Sequence, residues 1–448
     1  MKRVTSFLTA LILCALAGCA GGARSKLVIG VVAPASGANA SIGREALRGA
    51  ELAAADLNRR GGVAGTMISI VFRDDSDRAT APGQLRDLVR TPSLAAIIGP
   101  ETSSLVSSDR DPTSVAHIPV LTLASDGSVA KDPGLFRIVP SNRAMAASLA
   151  GWLVTTRKLN KIAIASGAGA FGQDGTAAAK GALKRVGVQP STVQQIEPGA
   201  LDLSGLARGL RTSGADAVIE WCEPAEAARL TSAIRALGWD AQIVGPSNLF
   251  DTDYRALAGS ATDGTVIAFP KISEETWFGQ DLRDWFLAYH RRFTLLPIPH
   301  QQTLVSEIPM TALTAYDAVG LIADASLRAK SKDPARIRAA LAATRDYRGI
   351  LRSYSFGKDR EAFGNSEVTP ARLFNLAILY DVQPGFDLDR QIAFYKVQVS
   401  AFYVPDEYQQ SEQGQKLKDR VLEQVLSDPE NVQFFKAYEP PRPPPGPV

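Results

Sequence analysis

The residues best suited to chemistry are acids and small hydroxyls gathered where apolar runs end. Gly99-Pro100-Glu101-Thr102-Ser103-Ser104 follows the run Leu94–Ile98 and opens a helix. A helix N-terminus has free N–H groups and partial positive charge, so it holds anions. Thr102 or Ser103 acting as a plain helix cap accounts for the same residues. Thr122-Leu123-Ala124-Ser125-Asp126 follows the next run. Asp126 there offers a carboxylate to an ammonium group, or, standing before Gly127, an Asx-turn. Glu220, Trp221 and Glu223 flank the end of a later run, as a charged subsite or as a solvated strand end.

Other patterns weigh against catalysis. Gly167-Ala168-Gly169-Ala170-Phe171-Gly172 spells the dinucleotide fingerprint G-x-G-x-x-G between a strand and a helix. No acidic residue closes the next strand at the required distance, Glu197 coming late, so glycines for tight packing are the favoured reading. The chain has no G-x-x-x-x-G-K-[ST], H-E-x-x-H or G-x-S-x-G. His117, His290 and His300 are scattered, without metal-ligand spacing. Asp74-Asp75 is expected to be a turn rather than a carboxylate pair. No cofactor, metal or enzymatic activity is expected. A formal net charge of +3 argues against a nucleic-acid partner, which needs clustered Lys and Arg.

The elements that must position these residues alternate between strand and helix, an α/β pattern of parallel βαβ units. Strands are expected at 27–32, 67–72 and 94–98. A helix is expected at 43–60 with Ala46, Ala50, Ala53 and Leu57 on one face, stopped by Gly61-Gly62. Further helices are expected at 144–156, 172–185, 203–211 and 224–237, with strands at 161–165, 192–196, 217–220 and 242–244. Helices near 274–292, 310–327 and 334–343 and a strand at 371–382 follow. Two lobes result, 26–139 with 270–350 and 140–269 with 351–399. The chain crosses between them near 140–141, 264–268 and 348–356. Ligands of such sheets bind beyond the strands' carboxyl ends, and a hinged pair closes around them.

The order of these motifs resembles the type I periplasmic binding proteins of the branched-chain amino-acid receptor group. The likeness rests on the Ser36-Gly37 loop, Gly61-Gly62, Asp74-Asp75, and Gly99 followed by Thr102 and Ser103. It continues through Ile118-Pro119-Val120-Leu121 before Ala124-Ser125, then Phe136-Arg137 and Phe171-Gly172, over roughly residues 26–385. It implies two doubly wound parallel-sheet lobes joined by a three-strand hinge. It also implies that Ser103, flanked by Thr102 and Ser104, binds a ligand α-carboxylate. Ala124 and Ser125 would offer backbone, and Phe171 would close over the ligand. Asp126 stands where relatives carry a hydroxyl, and Ser247 where amino-acid receptors place a glutamate against the ammonium. Glu220, Trp221 and Glu223 are the expected replacements for that charge, a solvated strand end being the alternative. Ile42 occupies a usually aromatic position, and Tyr316 an aromatic position of a late helix.

Lys2 and Arg3 precede an apolar stretch, 4–17, that reads as a secretory signal. Leu16-Ala17-Gly18-Cys19 resembles a lipoprotein box, which implies a signal peptide of residues 1–18, lipid on Cys19 and a tether over 19–25. Several acyl chains anchor stably, at ~0.8 kcal/mol per buried CH₂. Of three cysteines, Cys14 leaves with the signal and Cys19 takes lipid, so Cys222 stands alone and no internal disulfide is expected. Residues 400–448 form a C-terminal extension ending in a Pro-rich tail, expected to be solvated. The expected protein is an exported, lipid-anchored receptor facing the periplasm or the cell exterior. It delivers a small polar ligand (amino acid, amide or related carboxylate) to an ABC permease of the inner membrane. The alternative is an outer-membrane regulatory lipoprotein that activates a cell-envelope enzyme.

Overall fold

The computed structural model describes residues 26–37, 39–77, 79–99, 117–125, 133–272, 276, 280–293, 309–374 and 377–379. The first lobe is built on β1 (Lys26–Ala33), β2 (Met67–Asp74), β3 (Leu94–Ile98), β4 (Val120–Thr122) and β5 (Leu135–Arg137). These form one parallel sheet in the order β2-β1-β3-β4-β5. β3 and β4 are buried at every residue, as expected of strands covered on both faces. Helix α1 (Ala40–Arg59) lies on one face of the sheet and α2 (Ala81–Val89) on the other.

The expected apolar stripe of α1 is present: Ala46, Ala50 and Ala53 are buried and Leu57 packs against the same core. Gly61 and Gly62 end the helix with positive φ. Gly49, also on the buried face, lies against a later helix, α9 (Met310–Ala329). A Cβ at Gly49 would run into the Ala312 carbonyl.

The second lobe holds β6 (Ile162–Ser166), β7 (Thr192–Gln195), β8 (Ala217–Trp221), β9 (Gln242–Gly245) and β10 (Val266–Pro270) in a parallel arrangement. Two further strands, β13 (Val368–Phe374) and, at the edge, β14 (Ala377–Leu379), extend that sheet antiparallel. Its full order is β14-β13-β10-β9-β8-β6-β7. The intervening helices are α3 (Asn142–Gly151), α4 (Ala170–Arg185), α5 (Ser204–Thr212) and α6 (Pro224–Ala236), with α7 (Thr252–Ala258) after β9. α8 (Gln280–Phe293), α9 and α10 (Pro334–Ala342) belong to the first lobe.

Several boundaries differ from expectation. Of residues 264–268, expected to cross between the lobes, 266–268 fall within β10 and Gly264 and Thr265 are hydrogen-bonded to Leu373 of the same sheet, so the chain leaves the second lobe only after Pro270. The expected third crossing at 348–356 is instead a short hairpin, β11 (Tyr347–Arg348) with β12 (Ser353–Tyr354). Asp317 of α9 holds it in the first lobe, accepting from Ile350 N (2.7 Å), Leu351 N (2.9 Å) and the Tyr354 hydroxyl (3.0 Å). Phe356 and Phe363 also pack in the first lobe's core, so the chain crosses at 364–367, not at the expected lobe boundary of 350/351. The expected strand at 371–382 is the antiparallel pair β13 and β14. A π-helical turn (Trp152–Thr156) ends the helix expected at 144–156.

The crossings are tied together. Lys271 N donates to the Glu367 carbonyl (2.8 Å), and Ala362 N to the Arg137 carbonyl (2.9 Å). Cys19 and the extension 400–448 lie outside the described residues.

Candidate functional site

A cavity of about 180 Å³ lies between the lobes, and both contribute to its wall. From the first lobe, α1 presents Ile42 and Glu45, one turn apart and therefore on the same side of the helix. α9 presents Met310, Thr311 and Thr314. The Thr314 hydroxyl is engaged, donating to the Met310 carbonyl at 2.8 Å. The close approach at Gly49 sets the spacing of these two helices. Ser125 follows β4, and its carbonyl is held by Arg137 Nη1 (2.6 Å) and Asn142 N (2.8 Å), the latter at the start of α3. The loop at Ser125 is thereby joined to the first crossing and to the second lobe.

The second-lobe groups stand beyond the carboxyl ends of three parallel strands. Phe171 follows β6, Glu223 follows β8, and Ser247, Asn248 and Asp251 follow β9. This is where an open α/β sheet leaves room for a ligand. Glu223 is the N-cap of α6, whose Pro224 suits the first helical position, and its backbone N–H donates to Glu226. Asp251 caps α7, accepting from Asp253 N at 2.8 Å. Ser41 near the start of α1 reaches Asp253 Oδ2 at 3.5 Å, so the lobes meet at the rim.

The three lining carboxylates are held above the usual acid range. Burial, then the charge of Asp251, pushes Glu45 up to about 8. Burial, then Glu226 and Asp251, pushes Glu223 up to about 7. Burial, with Asp253 adding to it, pushes Asp251 up to about 6. Glu220, adjacent in sequence, does not face the cavity. It is a fully buried residue of β8, accepts from the Thr231 hydroxyl (2.9 Å), and is pushed up to about 8 by burial.

Of the residues singled out in the sequence, Ile42, Ser125, Phe171, Glu223 and Ser247 line the cavity. Thr102, Ser103, Ser104 and Asp126 lie outside the described residues. Three others are corrected. Ala124 is buried in the first lobe's core, with its N–H donating to the Thr122 hydroxyl at 3.0 Å. Trp221 is fully buried, its indole filling the space left by Gly175 of α4, where a Cβ would collide with it; its ring lies 6.4 Å from that of Phe171. Tyr316 donates its hydroxyl to Asp56 (2.9 Å) and packs edge-on against Trp285. It sits two residues beyond Thr314, so the helical turn carries it off the cavity-facing side.

Sequence reasoning missed Glu45, Asn39, Asp251 and Thr311. Glu45 was discoverable, since it stands three residues from Ile42 on a helix already expected. The G-x-G-x-x-G loop is a packing device. A Cβ at Gly172 would strike the Gly167 carbonyl, and one at Gly167 would come within 2.6 Å of the Glu226 carboxylate, an anion where a phosphate would have to sit. Cys222 is buried and free. Among the described residues no group of His, Cys, Asp and Glu is placed to hold a metal, and no helix is long and apolar enough to cross a membrane.

Residues 26–373 match the family model described as "Periplasmic binding protein". The chain belongs to that family, within the type I, branched-chain amino-acid receptor group, and is a ligand-binding receptor rather than an enzyme. Membership implies an exported, periplasmic location. It is 26% identical over 257 residues to a Leu/Ile/Val-binding protein homolog of Brucella melitensis, covering 57% of this chain and 70% of that one. It is 28% identical over 254 residues to an amino acid binding protein of Pseudomonas aeruginosa, covering 56% and 68%. Its fold is that of the LivJ substrate-binding protein from Streptococcus pneumoniae, solved with isoleucine. The TM-score is 0.69 at 20% identity, covering 79% of this chain and 98% of that one.

Proposed function

We propose that this receptor captures a small polar ligand, an amino acid, amide or related carboxylate, in the interlobe cavity and hands it to an ABC importer while tethered by lipid at Cys19. The observation that carries this reading is a cleft, partly open to solvent, with walls from both lobes. A ligand touching both walls favours the closed arrangement by its differential affinity for it. Ile42, Ser125, Phe171, Glu223 and Ser247 are the proposed contacts, joined by Glu45, Asn248 and Asp251. The volume only slightly exceeds the ~150 Å³ that holds a benzene in an engineered cavity, so the ligand is small. By family resemblance Thr102, Ser103 and Ser104 keep a proposed role toward the oxygen of the ligand's acid or amide group, and Asp126 toward its ammonium. The relatives named above are called amino-acid-binding or transport proteins, which supports an importer partner. None supports the regulatory alternative, which is set aside. Isothermal titration against amino acids, amides and organic acids tests the reading. One-to-one heats from a subset are expected; silence across the panel from folded protein contradicts it.

A further inference from the structure

The cavity wall bears acid and no base. Among its described lining residues stand Glu45, Glu223 and Asp251, and no Lys, Arg or His. Glu45 comes from the first lobe and the other two from the second, so closing the lobes brings like charges toward one another. Arg44, Arg48 and Arg255 are nearby and draw Glu45 or Asp251 down, yet all three carboxyls remain raised. Burial therefore holds these carboxyls toward their protonated form, and a cation placed against them would return them to the charged one. The rest of the polar lining is four hydroxyl residues and two amides, and it is the amide oxygens that lack partners. Asn248 donates its side-chain nitrogen to the Cys222 carbonyl at 3.1 Å, which fixes its Oδ1 as the free atom, and that oxygen is buried without a partner. Asn39 Oδ1 is likewise buried and unpartnered. The Ser247 position, where family resemblance leads one to expect the ammonium's glutamate, has no charge, while carboxylates stand on either side of the cleft instead.

We infer, on the basis of the receptor reading, that the cleft selects small organic cations, amines whose acid group is absent or masked as an amide, over zwitterionic α-amino acids. Burying carboxylates costs several kcal/mol per ion unless each is paired. A zwitterion brings its own carboxylate, together with its ammonium, to a wall already lined by acids. A cation compensates the wall directly. An ammonium has three donors and no acceptor, which suits a wall of carboxylates and amide oxygens. A carboxamide adds N–H donors for Asn39 and Asn248 where a carboxylate would add only further acceptors.

Matched pairs test this on the mature chain at pH 7.5. L-alaninamide is titrated against L-alanine, and L-leucinamide against L-leucine, with 1,3-diaminopropane as an amine lacking any acyl group. At least one amide, or the diamine, is expected to bind tenfold or more tighter than the amino acids. Glu45→Gln and Glu223→Gln, with circular dichroism confirming the fold, are expected to narrow that ratio several-fold. Tighter binding of alanine or leucine than of the amides overturns cation selectivity and leaves the receptor reading standing. No heat from any of the five overturns both.

Discussion

Replacing Gly49 with alanine separates two opposed physical effects. Gly49 is in the interior of α1, where helix propensity alone makes Gly→Ala stabilising by about 1 kcal/mol. Its missing side chain, however, is the space occupied by the Ala312 carbonyl of α9. That atom is backbone and has no rotamer by which to move aside, so the two helices must separate. Inserting a methyl group into a packed contact of this kind costs about 1–3 kcal/mol. The net expectation is a destabilisation of up to ~2 kcal/mol, opposite in sign to the propensity effect. At about 2–4 °C per kcal/mol for a lobe of this size, Tm falls by several degrees. Gly181→Ala, within α4, is the control: the added Cβ would meet only the tip of Arg185, at 3.9 Å, so propensity acts unopposed and Tm rises. Thermal and urea unfolding followed by circular dichroism read both. Because α1 and α9 carry Ile42, Glu45, Thr311 and Thr314 to the cavity, ligand affinity falls with Gly49→Ala and not with Gly181→Ala. A Gly49→Ala protein stabilised to the same degree as Gly181→Ala would refute the packing argument and the helix spacing deduced from it.

Three further outcomes are expected. Asp317→Ala leaves the buried Leu351 N–H, the Ile350 N–H and the Tyr354 hydroxyl without their acceptor, costing ~3 kcal/mol or more in urea unfolding, whereas Asp317→Asn costs less. Glu220, raised by burial from 4.5 to about 8, makes folding lose stability as pH rises from about 5 toward 8, because the unfolded chain releases this proton first. Glu220→Gln should therefore flatten Tm against pH in that window, a difference of a few kcal/mol at its upper end, and an unchanged slope would count against the assignment. Cys19→Ser should move the protein from the membrane fraction to the soluble one, and unaltered membrane association would remove the lipid anchor from the account.

The repeating βα units were legible because each boundary has a local cause. Leu94–Ile98 is an unbroken apolar run, Gly61-Gly62 stops α1, and Pro224 starts α6. What escaped the sequence depends on contacts between distant residues. The third crossing moved from 348–356 to 364–367 because Asp317 binds backbone more than thirty residues away, which no local pattern announces. Trp221 looked like a ligand contact because it flanks the carboxyl end of a strand; its burial depends on Gly175, on a different element. Glu45 was passed over because a charge on an amphipathic helix usually faces water, whereas here Thr311 of α9 and Asp251 of the second lobe both stand against it. Where the site follows strand ends, as at Phe171, Glu223 and Ser247, topology gave the position. Where it depends on how the lobes face each other, as for Asp251 coming opposite Glu45, only the helical spacing from Ile42 hinted at one partner and nothing local announced the pair.

The central claim is that the interlobe cavity holds one small molecule. Native mass spectrometry of protein purified gently from a periplasmic extract measures this directly. The account predicts a one-to-one adduct of low mass that is released on denaturation. It should be lost when Ser247→Trp fills the cavity, with circular dichroism and Tm showing that the variant folds. A ligand retained undiminished by that folded variant would contradict the account.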